Sequence, residues 1–476
     1  MTNGLSSRVV RRAGAFQVYS RRSRNSGLAG VSAVILLLAA GRWGAYIGYA
    51  PFFLTDLLLA LAVLNRAFRA AVRPNHQNLV LGPRQSWPLV LLSLYFGWSL
   101  LRLATSAQPG LTGIRDAAPY LYAFVAALSV PAYLRASPGA RRKTVWMLEW
   151  ALTLHLAWVA LALAVPSIAE AAPRFPGAKV NMFTIRGDFD TAIVGLLAAY
   201  SLRRILQGRK RGRDIPLLAA SILVMSAMGS RSGLLAGIVS LIVAVLFSPR
   251  SGSLMRQRRT KLLLAGLVPL IMVGSVFLIP VTNGGARLLA GFNATHVDDP
   301  AIMNAAGTQH ARFAAWGKIV SYGIANQSRL WLGVGFGPQF MNDSGASYAL
   351  LGRADAGDVR SPHNYVLGTF ARLGLIGVFL FLSAVSATAM GVVRSRRRLF
   401  HDDLAFLAAV AFAAIMVTSM LGVILESPFG AVPFFWFVGV LTAVGIESTA
   451  QAAAAPVFAR RIGAAEDQER TVGETL

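Results

Sequence analysis

RSPHNYVLGTFARLGLIGVFLFLSAVSATAMGVV, residues 360–393, decides the fold class of this chain. From Leu375 onward it is an uncharged apolar run, and a helix of roughly 20 such residues spans a bilayer. Upstream of that run stand Arg360, a Pro-His-Asn turn and Arg372, groups that hydrocarbon accepts only when they are paired. Pro362 pushes its predecessor towards extended backbone, so a helix starts close to His363. Gly374-Leu-Ile-Gly377 then marks a break between a first segment, Asn364–Leu373, and the span proper. The break keeps Arg372 on an interfacial segment.

The rest of the chain repeats this pattern. A 55% hydrophobic fraction, 14% charged residues and a mean hydropathy of +0.55 exclude an ordinary soluble domain. Apolar runs predict twelve spans, near 28–44, 49–66, 87–105, 117–134, 145–166, 190–203, 215–229, 233–247, 262–281, 375–393, 404–425 and 429–446. The sixth, seventh and eighth are short and borrow flanking residues or cross where the structure is thin. The expected fold is an all-α integral membrane protein with one large polar loop containing short helices. Its parts are a basic tail (1–27), nine spans (28–281), the loop (282–362), an interfacial helix with three spans (363–447) and a polar tail (448–476). No internal repeat is visible.

Net charge +26 reads as topology. Inner loops of membrane proteins collect Lys and Arg. With an even span count, one set of connections is consistently basic. It holds Arg8, Arg11 and Arg12 in the first tail, then Arg135, Arg141 and Arg142, then Arg203, Arg204 and Arg213, and later Arg394 and Arg396–Arg398. Both tails are therefore expected inside and the long loop outside. The basic charge serves orientation and contact with anionic lipid, not nucleic acid. Zero cysteines exclude disulfides and thiol chemistry. The first apolar run leads into further spans, so it reads as a signal anchor.

Three basic groups on the expected outer face need an explanation. Arg231 lies in a tight turn between two apolar runs, flanked by Gly229 and Gly233, which suit close approach of an anion. Arg312 and Trp316 share one helical face at i, i+4 spacing. That arrangement seats the indole at headgroup level while the guanidinium reaches a phosphate. His363 is one of three outer histidines, with His296 and His310. The bland alternatives are an interfacial anchor for Arg231, a solvated helix face for Arg312 and a structural role for His363. Gly333-Val-Gly-Phe-Gly337 lacks the strand and helix context of a nucleotide loop and reads as a tight turn. Asp298-Asp299 reads as a solvated turn, so no metal site is expected. Asn293, Asn326 and Asn342 each open a glycosylation triplet, a short and common pattern.

Taken together, these motifs resemble the bacterial O-antigen ligase and polymerase superfamily. The resemblance rests on Ser230-Arg231-Ser-Gly233, Arg312 with Trp316, Gly333-Val-Gly-Phe-Gly337, and His363-Asn364 with Gly374-Leu-Ile-Gly377, in the family's order over roughly 215–395. It implies a metal-independent, inverting glycosyltransferase without a cofactor, in the bacterial inner membrane with its site facing outward. The implied donor is a polyprenyl (undecaprenyl) diphosphate-linked glycan, and the implied acceptor is a lipid-anchored glycan. Polysaccharide-assembly proteins are further implied partners. In this scheme His363 is catalytic, Arg231 and Arg312 hold the diphosphate, and Asn364, Trp316 and Arg360 support them. The motifs do not separate a ligase from a polymerase or a protein-glycosylating relative. The competing classes are a transporter or flippase, which twelve spans also suit, and a non-catalytic assembly scaffold.

Overall fold

A computed structural model describes residues 47–49, 52–72, 83–106, 110–175, 181, 185–208, 212–228, 230–248, 300–351 and 359–448. The expected span at 28–44, the span at 262–281, both tails, Gly229, His296, Asn293 and Asp298-Asp299 lie outside the described residues. Apart from a two-residue antiparallel pair, Gly48–Tyr49 with Phe52–Phe53, and one isolated bridge, the described chain is helical. Among the described residues, six helices are long and apolar enough to cross a membrane: Ser86–Ala104, Leu111–Arg135, Pro138–Ala164, Tyr365–Arg394, Asp403–Leu421 and Pro428–Ser448. Leu54–Asn65, Asp214–Ala227 and Arg231–Leu246 are shorter apolar helices. The expected span at 190–203 falls within Gly187–Leu206, which carries Asp188, Asp190, Arg203 and Arg204. This is a multi-pass membrane protein.

Local sequence explains where the helices start. Ser137, Ser230, Asn326, Asn364 and Asp402 each cap a helix by accepting backbone N–H groups that have no partner inside the first turn. Packing then sorts the helices. Pro428–Ser448 is buried along nearly all of its length and forms the centre, whereas Ser86–Ala104 is mostly exposed and turns Leu94 and Leu101 outward. A lipid environment accepts such faces, because the backbone is satisfied within each helix.

Two helices approach side by side with their N-termini at the same end. A methyl group on Gly233 would lie 2.6 Å from the Gly187 carbonyl oxygen, and one on Gly195 would lie 2.9 Å from Gly237 Cα. Glycine and Thr191 therefore let Gly187–Leu206 and Arg231–Leu246 run parallel in near contact, the small-residue packing that membranes favour. Their positive dipole ends and the residues at those ends, Arg186 and Arg231, share one end of the bundle.

The opposite end is pinned by ion pairs. Arg141 pairs with Asp402 (3.3 Å) and Glu447, Arg398 with Glu447 (2.7 Å), Arg203 with Asp403 (2.9 Å) and Arg204 with Glu149 (2.9 Å). Basic residues that the sequence marks as topology signals thus also join the helix ends to one another.

The Tyr365–Arg394 helix breaks at Gly374 (φ 66°). The break frees three carbonyls, and each finds a donor: Ala371 from Val334 N–H (2.8 Å), Arg372 from Gly335 N–H (3.0 Å) and Leu373 from the Trp98 indole (3.0 Å). The glycine-rich stretch is therefore a dock for the kink. Gly333 (φ 72°) leaves no room for a side chain, since its Cβ would sit 2.3 Å from the Arg372 carbonyl carbon.

Candidate functional site

His363 adopts φ 57°, the one non-glycine residue with positive φ among those described. Several contacts hold it there. Its N–H donates to Ser361 Oγ (3.1 Å), and the Trp316 indole donates to the carbonyl of Pro362 (2.7 Å). Nδ1 lies 3.4 Å from the Ser361 carbonyl oxygen. A carbonyl only accepts, so this contact requires the proton on Nδ1 and leaves the Nε2 lone pair free. Asn364 caps the following helix by accepting from Leu367 N–H (3.1 Å).

Two guanidiniums stand close enough to act on this ring. Burial first, then Arg312 and Arg186, push His363 down to about 4, so the ring is neutral at neutral pH. Arg312 lies on the Pro300–Ile324 helix and donates to the Leu421 carbonyl (3.0 Å). Burial pulls it below the usual guanidinium range while the nearby Asp188 opposes that effect. Arg186 immediately precedes the Gly187–Leu206 helix and contacts Asp188 at 3.3 Å. Asp190 accepts the Arg186 N–H and lies 3.4 Å from His155, which fixes the turn that carries Arg186. The Ser230-Arg231 turn packs on the same turn, with Ser230 Cβ 2.9 Å from where a Cβ on Gly187 would be. Arg186 was not among the residues singled out by sequence. Its signal is a cation at the start of an outer span, in Arg186-Gly-Asp-Phe-Asp190.

The remaining expected residues fall around this centre. Trp316 serves the His363 turn by its hydrogen bond to Pro362, where the sequence suggested a headgroup anchor. Arg360 and Arg372 both pair with Asp116: Arg360 through Nε (2.9 Å) and its terminal nitrogen, Arg372 at 2.8 Å. Arg360 also donates to the Gly337 carbonyl (2.7 Å). It therefore supports the site from a buried ion cluster. Beside that cluster lies a cavity of about 220 Å³ that reaches Ser361 and Glu426. Glu426, in the turn before Pro428–Ser448, is a second residue that sequence reading missed. An acid within an otherwise apolar stretch, 404–446, is the signal. Among the described residues no three of His, Asp and Glu come together as a metal site.

The fold and site thus define a polytopic membrane protein with a neutral histidine among arginines at one end of its bundle. Residues 215–382 match the family model described as O-Antigen ligase (Wzy_C). Through this segment, about a third of the chain, the protein is similar to the O-antigen ligase superfamily, whose work is membrane glycan transfer. The matched segment holds Arg231, Arg312, Trp316 and His363, while Arg186 and Glu426 lie outside it. No protein with a curated description matches the sequence.

Proposed function

We propose that this protein transfers a glycan from a polyprenyl (undecaprenyl) diphosphate to a sugar hydroxyl of a lipid-anchored acceptor, as a ligase or polymerase. Transfer is metal-independent and inverting, at the outer face of the inner membrane. The observation that carries this reading is the neutral His363 ring with Arg312 and Arg186 beside it. The acceptor oxygen attacks the anomeric carbon from the side opposite the diphosphate. The new carbon–oxygen bond forms as the bond to the diphosphate oxygen breaks, and the hydroxyl proton passes to His363 Nε2. The electron pair of the broken bond leaves with the polyprenyl diphosphate. Arg186, Arg231 and Arg312 face the charge that grows there, and preorganised guanidiniums can replace a divalent cation in that task.

A base with its affinity for protons pushed to about 4 is weak in the empty site. The bound diphosphate corrects this, because its charge offsets the two arginines that depress the ring. The donor thus readies its own base.

The test is transfer by the purified full chain. His363→Ala lowers the rate by about 10²–10⁴, some 3–5 kcal/mol in barrier, with donor binding retained. Arg231→Lys and Arg312→Lys keep the charge but lose the planar fork, so each reduces transfer sharply. Activity within a few fold of the parent in His363→Ala would sink the assignment of the base. Inhibition by EDTA that one divalent metal reverses would sink metal independence.

A further inference from the structure

The cavity beside His363 differs chemically from the arginine side of the ring. Its two innermost cations are already engaged, since Arg360 and Arg372 share Asp116. What remains to meet a ligand is Glu426, the hydroxyl groups of Ser361, Ser427 and Tyr120, the apolar wall at Val423, and the exposed Arg115 at the rim. The Glu426 carboxylate accepts from the Ser361 hydroxyl. Its Oε1 is sealed from solvent, so the oxygen that accepts from Ser361, with a second lone pair to offer, is the one left for a ligand hydroxyl.

A carboxylate at this point repels a phosphate and favours a group rich in O–H donors. The volume, about 220 Å³, equals about seven waters at ~30 Å³ each. That is space enough for one sugar ring. Ser361 links the cavity to the His363 turn, because the same hydroxyl accepts the His363 backbone N–H. A ring seated here therefore lies beside the turn that carries the base.

We propose that this cavity seats one sugar ring of the acceptor, with the Glu426 carboxylate accepting a hydrogen bond from a ring hydroxyl; the assignment rests on the glycan-transfer reading above. His363 then stands between two subsites of opposite preference, diphosphate on one side and a neutral polyol on the other. Burial, the largest influence, raises Glu426 to about 7, and Ser361 and Arg372 pull against it. The carboxyl is thus suited to meet a hydroxyl as either acceptor or donor near neutral pH.

Saturation-transfer NMR on the detergent-solubilised full chain tests the subsite, with glucose, galactose, mannose, N-acetylglucosamine and N-acetylgalactosamine as millimolar probes. At least one sugar should receive saturation from the parent and from Arg312→Lys. Glu426→Gln and Glu426→Ala should weaken that contact by about ten-fold, the effect of losing a charge-assisted hydrogen bond. Inorganic pyrophosphate, which belongs to the arginine side, should not displace the sugar. The subsite is overturned if none of the sugars is contacted, if both Glu426 variants bind like the parent, or if pyrophosphate competes. Transfer by His363→Ala, measured alongside, separates the two readings. If that variant is inactive and the Glu426 variants keep the sugar, only the subsite fails. If that variant transfers normally while Glu426-dependent sugar binding persists, the catalytic reading fails and the subsite survives.

Discussion

His363 sits in left-handed backbone that a non-glycine residue adopts at a strain of about 1–3 kcal/mol, and the surrounding contacts must offset it. Ser361 and Trp316 do so from either side of Pro362. The same placement half-buries the residue beside two cations, and the proton balance follows. Both effects disfavour imidazolium, so the ring is deprotonated above about pH 4 in the free protein. The acid limb of kcat/KM, which reports the free enzyme, should therefore fall near pH 4. In kcat the diphosphate is bound and offsets the arginines, so that limb should lie at higher pH. Arg186→Gln removes one cation and should move the kcat/KM limb upward. A limb at the ordinary imidazole value in the parent, or one that Arg186→Gln leaves in place, would refute the electrostatic account. Of these residues, His363, Arg231 and Arg312 could be singled out as candidates from sequence because each is a polar group where lipid or its surface should be. Arg186 was not, because its importance comes from a turn that only packing brings to His363.

At the scale of elements, glycine decides how the long loop meets the bundle. The break at Gly374 was legible from the Gly374-Leu-Ile-Gly377 spacing. The sequence did not reveal what fills the break. Gly333 and Gly374 face each other's backbone: a Cβ on Gly374 would lie 2.2 Å from the Trp331 carbonyl oxygen. Both have positive φ, so alanine at either position meets strain as well as overlap. Gly333→Ala and Gly374→Ala should each lower the thermal midpoint of the solubilised protein and reduce transfer, by at least the ~1–3 kcal/mol of the backbone strain alone. Gly391, in the same Tyr365–Arg394 helix, would put a methyl into open space. Gly391→Ala should leave the midpoint unchanged or raise it, by up to ~1 kcal/mol of helix propensity. Equal midpoints for all three variants would show that the loop does not dock as described.

Across the whole molecule, the two ends of the bundle hold different chemistry. One end gathers Arg186, Arg312, His363, Glu426 and the Asp116 cluster. The other carries the Arg141–Asp402–Glu447–Arg398 network, drawn from segments that the sequence assigns to the inner side. Asp116 matters beyond its own pairs, because one carboxylate offsets two guanidiniums, half-buried Arg360 from the loop exit and buried Arg372 from the kinked helix. Which end faces outward is tested directly in a chain without native cysteine. A cysteine at exposed Asp343 should react with an impermeant thiol reagent from the outer side of the membrane, and one at exposed Gly139 should not. The reverse labelling would invert the orientation and remove the outward-facing mechanism.

Read alone, the residues were enough for the membrane-helical class and the break at Gly374, and they marked His363, Arg231 and Arg312 as candidates for the site. These follow from local chemistry: apolar length, glycine, and the cost of charge in hydrocarbon. Packing settled the rest: the glycine-rich stretch docks on the kink, Arg360 serves Asp116, Arg186 comes beside His363 and Glu426 beside Ser361. Those facts depend on which ends of distant helices meet. That choice is made by small residues, such as Gly187 against Gly233, whose contacts span more than forty positions of chain. Nothing in their own neighbourhoods of sequence encodes the partner.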